Sequence, residues 1–117
     1  MEEKQALAAF GALSQETRLR IVRLLVQAGP EGVAAGVLGE ATGVSASNVS
    51  FHLKELERAG LIGARRQARS IMYAADYPAL AGLLQFLMED CCAGRPEICA
   101  PALANPCAPR ATEPVDG

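Results

Sequence analysis

The sequence predicts a mainly α fold with one small β-hairpin, in the order α-α-α-α-β-β-α. Three observations predict it. Apolar residues recur at helical spacing in five stretches. Leu61–Ala75 departs from that spacing and reads as two short strands around a turn. Half of the 117 residues are apolar, but with no Trp, three Phe and two Tyr the core must be largely aliphatic, and the length suits one domain.

Gln5–Leu13 reads as a short first helix, with Leu7, Phe10 and Leu13 on one face. Ser14 is placed to cap a second helix, Glu16–Ala28, whose Ile21, Leu24, Leu25 and Ala28 face inward. Arg18, Arg20 and Arg23 on it are solvated or near phosphates. Gly29-Pro30 breaks the helix. Val33–Ala41 reads as a third helix packing through Val37 and Leu38, and Thr42-Gly43 turns into the next element.

That element, within VSASNVSFHLKELERAGLI over Val44–Ile62, is the one the chain is organised around. Ser45 caps it, it runs to Ala59, and Gly60 suits a left-handed helix end. Val49, Leu53 and Leu56 form a narrow apolar stripe, and the opposite face carries Ser47, Phe51, Lys54 and Arg58. His52 lies on the flank nearer the stripe and reads as a helix–helix or backbone hydrogen-bond partner, with a phosphate contact as the lesser option. Two helices joined by a tight Gly-containing turn make a helix-turn-helix. Leu61–Arg66 and Ser70–Ala75 read as strands around Gln67-Ala68-Arg69, a wing with Arg69 at its tip. Asp76 caps a last helix that tolerates Pro78 in its first turn and runs to about Asp90, with Leu80, Leu83, Leu84 and Leu87 as an apolar stripe. From Gly94 prolines and alanines replace any amphipathic period. Residues 1–92 therefore read as one winged helix-turn-helix domain suited to DNA binding. Residues 93–117 form a Cys/Pro-rich, partly flexible segment.

The net charge of −2 argues against a general nucleic-acid coat, but its distribution is uneven. Residues 45–75 carry five cations against two carboxylates, net +3; residues 76–117 carry two against six, net −4. One basic region on an acidic chain favours selective docking. No apolar run reaches membrane-spanning length, and the acidic start MEEKQALAAF lacks a secretory pattern, so a cytoplasmic protein without membrane partners is expected. No catalytic Ser-His-Asp or Cys-His order, phosphate-cradling Gly loop or paired acidic motif is present, which points away from an enzyme.

All four cysteines fall in the last 27 residues. In a reducing compartment such a cluster reads as a metal or redox site. MEDCCAGRPEIC places Cys91 and Cys92 at the end of the last helix and Cys99 beyond a turn allowed by Gly94 and Pro96. Three thiolates suit a soft, thiophilic centre: trivalent arsenic takes three sulfurs in a pyramid, whereas zinc asks for a fourth ligand, which Cys107 could supply from the Pro-rich tail.

The string V-S-x-S-x-V-S-x-H-L-K-x-L-x-x-A-G-L resembles the recognition-helix region of the ArsR/SmtB family of bacterial winged-helix repressors, and the resemblance extends from about Leu7 to Leu87. It implies a homodimer formed by the first and last helices, with Leu7, Phe10, Leu83 and Leu87 as dimer residues; Leu80 and Leu84 read at least as well as monomer core. It also implies two recognition helices in successive major grooves of double-stranded operator DNA with an inverted repeat. Ser47, Asn48, Phe51 and Lys54 would lie nearest base edges, and Ser50, Arg58, Arg65 and Arg69 would hold phosphates. Two departures matter. GVAAGVLGE lacks the third-helix cysteine pair of the founding members, and the last helix has no histidine for the zinc site of others. Cys91, Cys92 and Cys99 instead resemble an arsenic-responsive subgroup with a vicinal pair plus a third cysteine at the end of the last helix; Cys107 has no counterpart there. The expected function is a repressor that needs no cofactor on DNA and releases it when As(III) or Sb(III) binds the thiolates. The alternative is a thiol redox or persulfide sensor of the same fold.

Overall fold

The first helix, α1 (Glu3–Leu13), starts two residues earlier than its apolar spacing suggests, because the Glu2 N–H donates to Gln5 Oε1 at 3.0 Å and closes the first turn. In this computed structural model residues 1–88 are described, and Met1–Phe86 form one unit. The buried face of α1 is Ala6, Ala9 and Ala12, a stripe of small side chains that lets α1 approach its neighbours closely; Phe10 and Leu13 only border the core.

α2 (Glu16–Ala28) has the expected bounds but a different cap. Gln15 Oε1 accepts from the Arg18 N–H at 2.9 Å, while Ser14 turns back and donates from Oγ to Gly11 O at 2.9 Å, closing α1. Ser14 therefore ends the first helix and does not start the second. Ile21, Val22 and Leu25 are buried; Leu24 borders the core, and Ala28, expected to face inward, is exposed at the end of the helix.

Two residues expected in the third helix are strand. β1 (Val33–Ala34) precedes α3 (Ala35–Thr42), and it pairs antiparallel with the hairpin, Val33 with Tyr73 and Ala34 with Met72. Gly32 makes this possible. Its φ is +85°, and a Cβ there would lie 2.6 Å from Tyr73 O, so any side chain would push β1 off the sheet. On α3, Leu38 is buried but Val37 is exposed, contrary to the inward position expected for both: with the helix start moved to Ala35, only Leu38 points at the core.

α4 (Ala46–Arg58) is capped by Ser45, whose Oγ accepts from the Asn48 N–H at 3.3 Å. It ends in a paired reversal: Gly60 N–H donates to Glu57 O at 2.9 Å and Leu61 N–H to Leu56 O at 3.1 Å, with Gly60 at φ +81°. Leu61 is thereby driven fully into the core at the start of the wing. Val49, Leu53 and Leu56 are all buried, and each contributes on the order of 1.5–3 kcal/mol of transfer free energy.

β2 (Ile62–Gln67) and β3 (Ser70–Ala75) pair antiparallel from Ile62–Ala75 to Gln67–Ser70, giving a three-stranded sheet in the order β1-β3-β2. The turn is Ala68-Arg69 alone, with Ala68 at φ +56°; Gln67 belongs to the strand. α5 (Tyr77–Met88) starts where Asp76 Oδ1 accepts from the Ala79 N–H at 3.0 Å, as expected. Tyr77 hooks α5 onto α2, its hydroxyl donating to Val26 O at 3.1 Å and lying 3.5 Å from Leu25 O. These elements make the mainly helical winged helix-turn-helix that the sequence predicts.

Candidate nucleic-acid interface

The geometry of the reading face follows from the burial of one stripe of α4. With Val49, Leu53 and Leu56 fixed in the core, Ser47, Asn48, Ser50, Phe51, Lys54 and Arg58 all lie exposed. Phe51 is 54 % exposed, a large aromatic left in water on an otherwise polar surface. The capped amide end of α4 stands at the same end as Ser47 and Asn48, and a helix N-terminus favours an anion such as phosphate. Lys54 is exposed; the exposed Arg58 pairs with the half-buried Glu55 at 3.2 Å, a surface pair of small energetic weight.

The wing divides its arginines. Neighbouring residues on a strand point to opposite faces, so Arg65 and Arg66 cannot both face one ligand. Arg65 turns back on the protein: Nη1 donates to Pro30 O at 3.1 Å, Nη2 to Glu31 O at 2.8 Å and to Gln67 Oε1 at 3.3 Å. Its guanidinium, expected on phosphate, ties β2 to the loop between α2 and β1. Arg66, its neighbour, is exposed opposite Ile71. Arg69 is exposed in the turn. Strand alternation is the signal that separates Arg65 from Arg66.

Behind the reading face lies a contact that connects α2 to α4. Arg18 Nε donates to His52 Nδ1 at 3.0 Å, and the Arg18 guanidinium carbon sits 5.5 Å from the centre of the Phe51 ring. The Phe51 and His52 rings meet edge to face, 5.5 Å apart at 62°. Partial burial, and then the adjacent Arg18 charge, push the His52 pKa below its ordinary value. A neutral His52 that accepts at Nδ1 carries its proton on Nε2. The expected supporting role of His52 is thus a helix–helix hydrogen bond, and its partner is Arg18, for which the sequence suggests solvent or phosphate. Below α4, burial and then Glu57 raise the pKa of the Tyr73 phenol on β3.

The dimer residues expected from the sequence are separated by the structure. Leu7 (64 % exposed) on α1 and Leu87 on α5 are exposed, Phe10 is half-buried, and Leu83 is only 5 % exposed within the protomer. Leu83 is therefore a core residue, whereas Leu84, at 48 % exposure, stands on the open face of α5. The spacing gave both leucines to one broad stripe, and the roll of α5 against the core decides between them. Cys91, Cys92, Cys99 and Cys107 lie outside the described residues. Among the described residues no group of three or more His, Cys, Asp or Glu side chains could hold a metal ion, and no helix is long and apolar enough to cross a membrane.

Comparison with known proteins places this geometry. A family profile described as a helix-turn-helix domain matches residues 13–62. The HTH-type transcriptional regulator YgaV of Escherichia coli is 36 % identical over 89 residues, 76 % of this chain and 88 % of its own length. Among solved structures, an ArsR-like transcriptional regulator from Rhodococcus sp. RHA1 superposes with a TM-score of 0.64 at 30 % identity, covering 72 % of this chain and 76 % of that one. The homodimeric winged helix-turn-helix DNA-binding domain of Mb0332 from Mycobacterium bovis gives 0.59 at 30 %, covering 74 % and 81 %. A protein described as a possible transcriptional regulator for arsenical resistance gives 0.57 at 31 %, covering 66 % and 77 %. With a capped reading helix, an arginine-bearing wing and relatives of this kind over most of its length, the chain belongs to the ArsR-like family of winged helix-turn-helix transcriptional regulators, DNA-binding proteins and not enzymes.

Proposed function

We propose that the chain is a homodimeric repressor that holds an inverted-repeat operator and releases it on binding As(III) or Sb(III). The exposed face of α4 carries the DNA-binding half of the reading. Ser47, Asn48, Phe51 and Lys54 stand where base edges would meet them, with Ser50, Arg58, Arg66 and Arg69 placed for phosphate. The open faces of α1 and α5, with Leu7 and Leu84, are the surface a second copy would cover, and the homodimeric Mb0332 domain supports that assembly. The effector half rests on donor chemistry. Cys91, Cys92 and Cys99 supply three thiolates within nine residues, a set that suits a soft three-coordinate metalloid better than zinc. The solved relative described as a possible regulator of arsenical resistance supports the same direction.

The effector acts by differential affinity: it must bind better to a dimer geometry in which the two α4 helices no longer match the operator. The test is an operator-binding titration, using a duplex from the promoter region of its own gene, against arsenite, antimonite and cadmium under strict reduction, and against peroxide in a separate series after the reductant is removed. Arsenite releases the wild type, whereas Cys91→Ser and Cys92→Ser bind DNA equally well and do not respond. Release of either mutant by arsenite overturns the effector assignment, and release by peroxide alone returns the redox alternative.

A further inference from the structure

Arg18 stands on α2, outside the helix-turn-helix, yet it is the described side chain that reaches α4 from that helix with a directed hydrogen bond. Its Nε donates to His52 Nδ1 at 3.0 Å, and its guanidinium lies 5.5 Å from the Phe51 ring centre. The two residues it touches are consecutive on the recognition helix. One is half-buried against the protein; the other is 54 % exposed on the reading face. An exposed phenylalanine on a helix ordinarily samples more than one side-chain rotamer. Here the ring has a cation near its face and the His52 ring at its edge, in a T-shaped arrangement 5.5 Å away. Both contacts favour one orientation of the ring.

We propose that Arg18 is a positioning residue for operator recognition: by clamping His52 and flanking Phe51 it fixes the orientation in which Phe51 meets a base edge. The inference rests on the DNA-binding half of the proposed function and is independent of the effector. A fixed ring loses less conformational freedom when it docks, so pre-orientation improves binding to the sequence whose groove matches it and leaves binding to other sequences unchanged. Arg18 thus raises discrimination without adding a phosphate contact. The same contact sets the His52 tautomer. With Nδ1 accepting from Arg18, the ring proton sits on Nε2, which donates to no hydrogen-bond acceptor among the described residues.

The experiment uses the full chain, with Arg18→Met, His52→Gln, His52→Leu, Phe51→Leu and the Arg18→Met/Phe51→Leu double variant. Thermal melts establish that each folds. Binding is read by fluorescence anisotropy on a duplex from the promoter region of its own gene and on a shuffled duplex of the same composition, across a salt series. Arg18→Met should lower the ratio of specific to shuffled affinity about five- to tenfold and leave the salt slope unchanged. The double variant should lose no more than Phe51→Leu alone, because the two act as one unit. His52→Gln, whose amide oxygen can still accept from Arg18, should retain discrimination that His52→Leu loses. Nitrogen-15 spectra of the imidazole should show the Nε2–H tautomer in the wild type and a mixture in Arg18→Met. Three results overturn the proposal. A salt slope that drops by about 0.9 with the ratio unchanged makes Arg18 a phosphate ligand. Additive losses in the double variant separate Arg18 from Phe51. A changed tautomer with unchanged discrimination leaves the contact as packing only. An operator that binds no variant, nor the wild type, would remove the DNA-binding reading itself and is distinguished from these by the wild-type control.

Discussion

Replacing Arg65 with Gln separates two roles that a basic residue in a wing can have. If Arg65 held a phosphate, its loss would reduce the salt dependence of DNA binding, because each neutralised phosphate releases condensed counterion and contributes about 0.9 to the slope of log affinity against log salt. The structure commits its guanidinium to Pro30 O at 3.1 Å and Glu31 O at 2.8 Å. Hydrogen bonds from a charged donor are worth roughly 1.5–3 kcal/mol when shielded, but Arg65 is exposed, so a discounted total of about 1 kcal/mol is reasonable. That energy holds the wing against the loop before β1. Its loss costs at most about fivefold in operator affinity, as a wing free to swing must be ordered on binding. The slope should not move. Arg69→Gln, from a residue exposed in the turn, is the control and should flatten the slope by about 0.9. Anisotropy titrations of both variants over a salt series decide the matter. A loss of slope in Arg65→Gln equal to that in Arg69→Gln refutes the assignment and shows that the guanidinium leaves its carbonyls for DNA.

Three further outcomes are expected. Gly32→Ala combines a positive φ, which costs a non-glycine residue about 1–2 kcal/mol, with a Cβ 2.6 Å from Tyr73 O; a destabilisation of at least about 2 kcal/mol should appear in denaturant unfolding, and a change below about 0.5 kcal/mol would contradict the β1 pairing. The His52 pKa is lowered in the folded state, so its contribution to stability is present above the unfolded value near 6.5 and is lost as pH falls through the folded value. The wild type should therefore lose more melting temperature than His52→Gln between about pH 7.5 and pH 5.5, and identical losses would show that the Arg18 contact does not depend on a neutral ring. Leu84→Glu with Leu7→Glu places charge on one exposed apolar position of each of α5 and α1; sedimentation equilibrium should report a monomer with weakened operator binding, and an undisturbed dimer would move the interface elsewhere.

Much of the fold was legible because the strongest signals are local. The cap at Ser45, the stripe of Val49, Leu53 and Leu56 and the reversal at Gly60 are each set by a residue's own chemistry, and all three are found where expected. What was not legible depends on partners distant in sequence. β1 is strand because Tyr73 and Met72 are there to pair with it, forty residues away, and two residues alone carry no periodicity. The inward face of α1 differs from the one its large apolar residues suggest: Ala6, Ala9 and Ala12 are buried because their small side chains allow close approach, while Leu7 is exposed. Leu83 and Leu84 are adjacent in one apolar stripe, and only the roll of α5 against the core, a tertiary property, buries one and exposes the other.

The interface divides along the same line. The exposed positions of α4 follow from its buried stripe, so Ser47, Phe51, Lys54 and Arg58 are legible from spacing alone. The two arginines whose roles changed, Arg18 and Arg65, changed because each reaches a group 34 or 35 residues away in the chain. The consequence bears on how such a regulator can be controlled. α2 holds α5 through the Tyr77 hydroxyl on its last-turn carbonyls and holds α4 through Arg18 on His52. A rigid helix gripped at both ends by directed bonds cannot let α5 shift without bending, breaking one grip or carrying α4 with it. Coupling by the third route requires both grips to persist in the DNA-bound and released states, so a Tyr77→Phe variant, which loses only the hydroxyl bond, should retain operator binding and lose part of its response to an effector acting through α5. Full response in that variant, measured by arsenite titration of operator-bound protein, would exclude α2 as the connecting element.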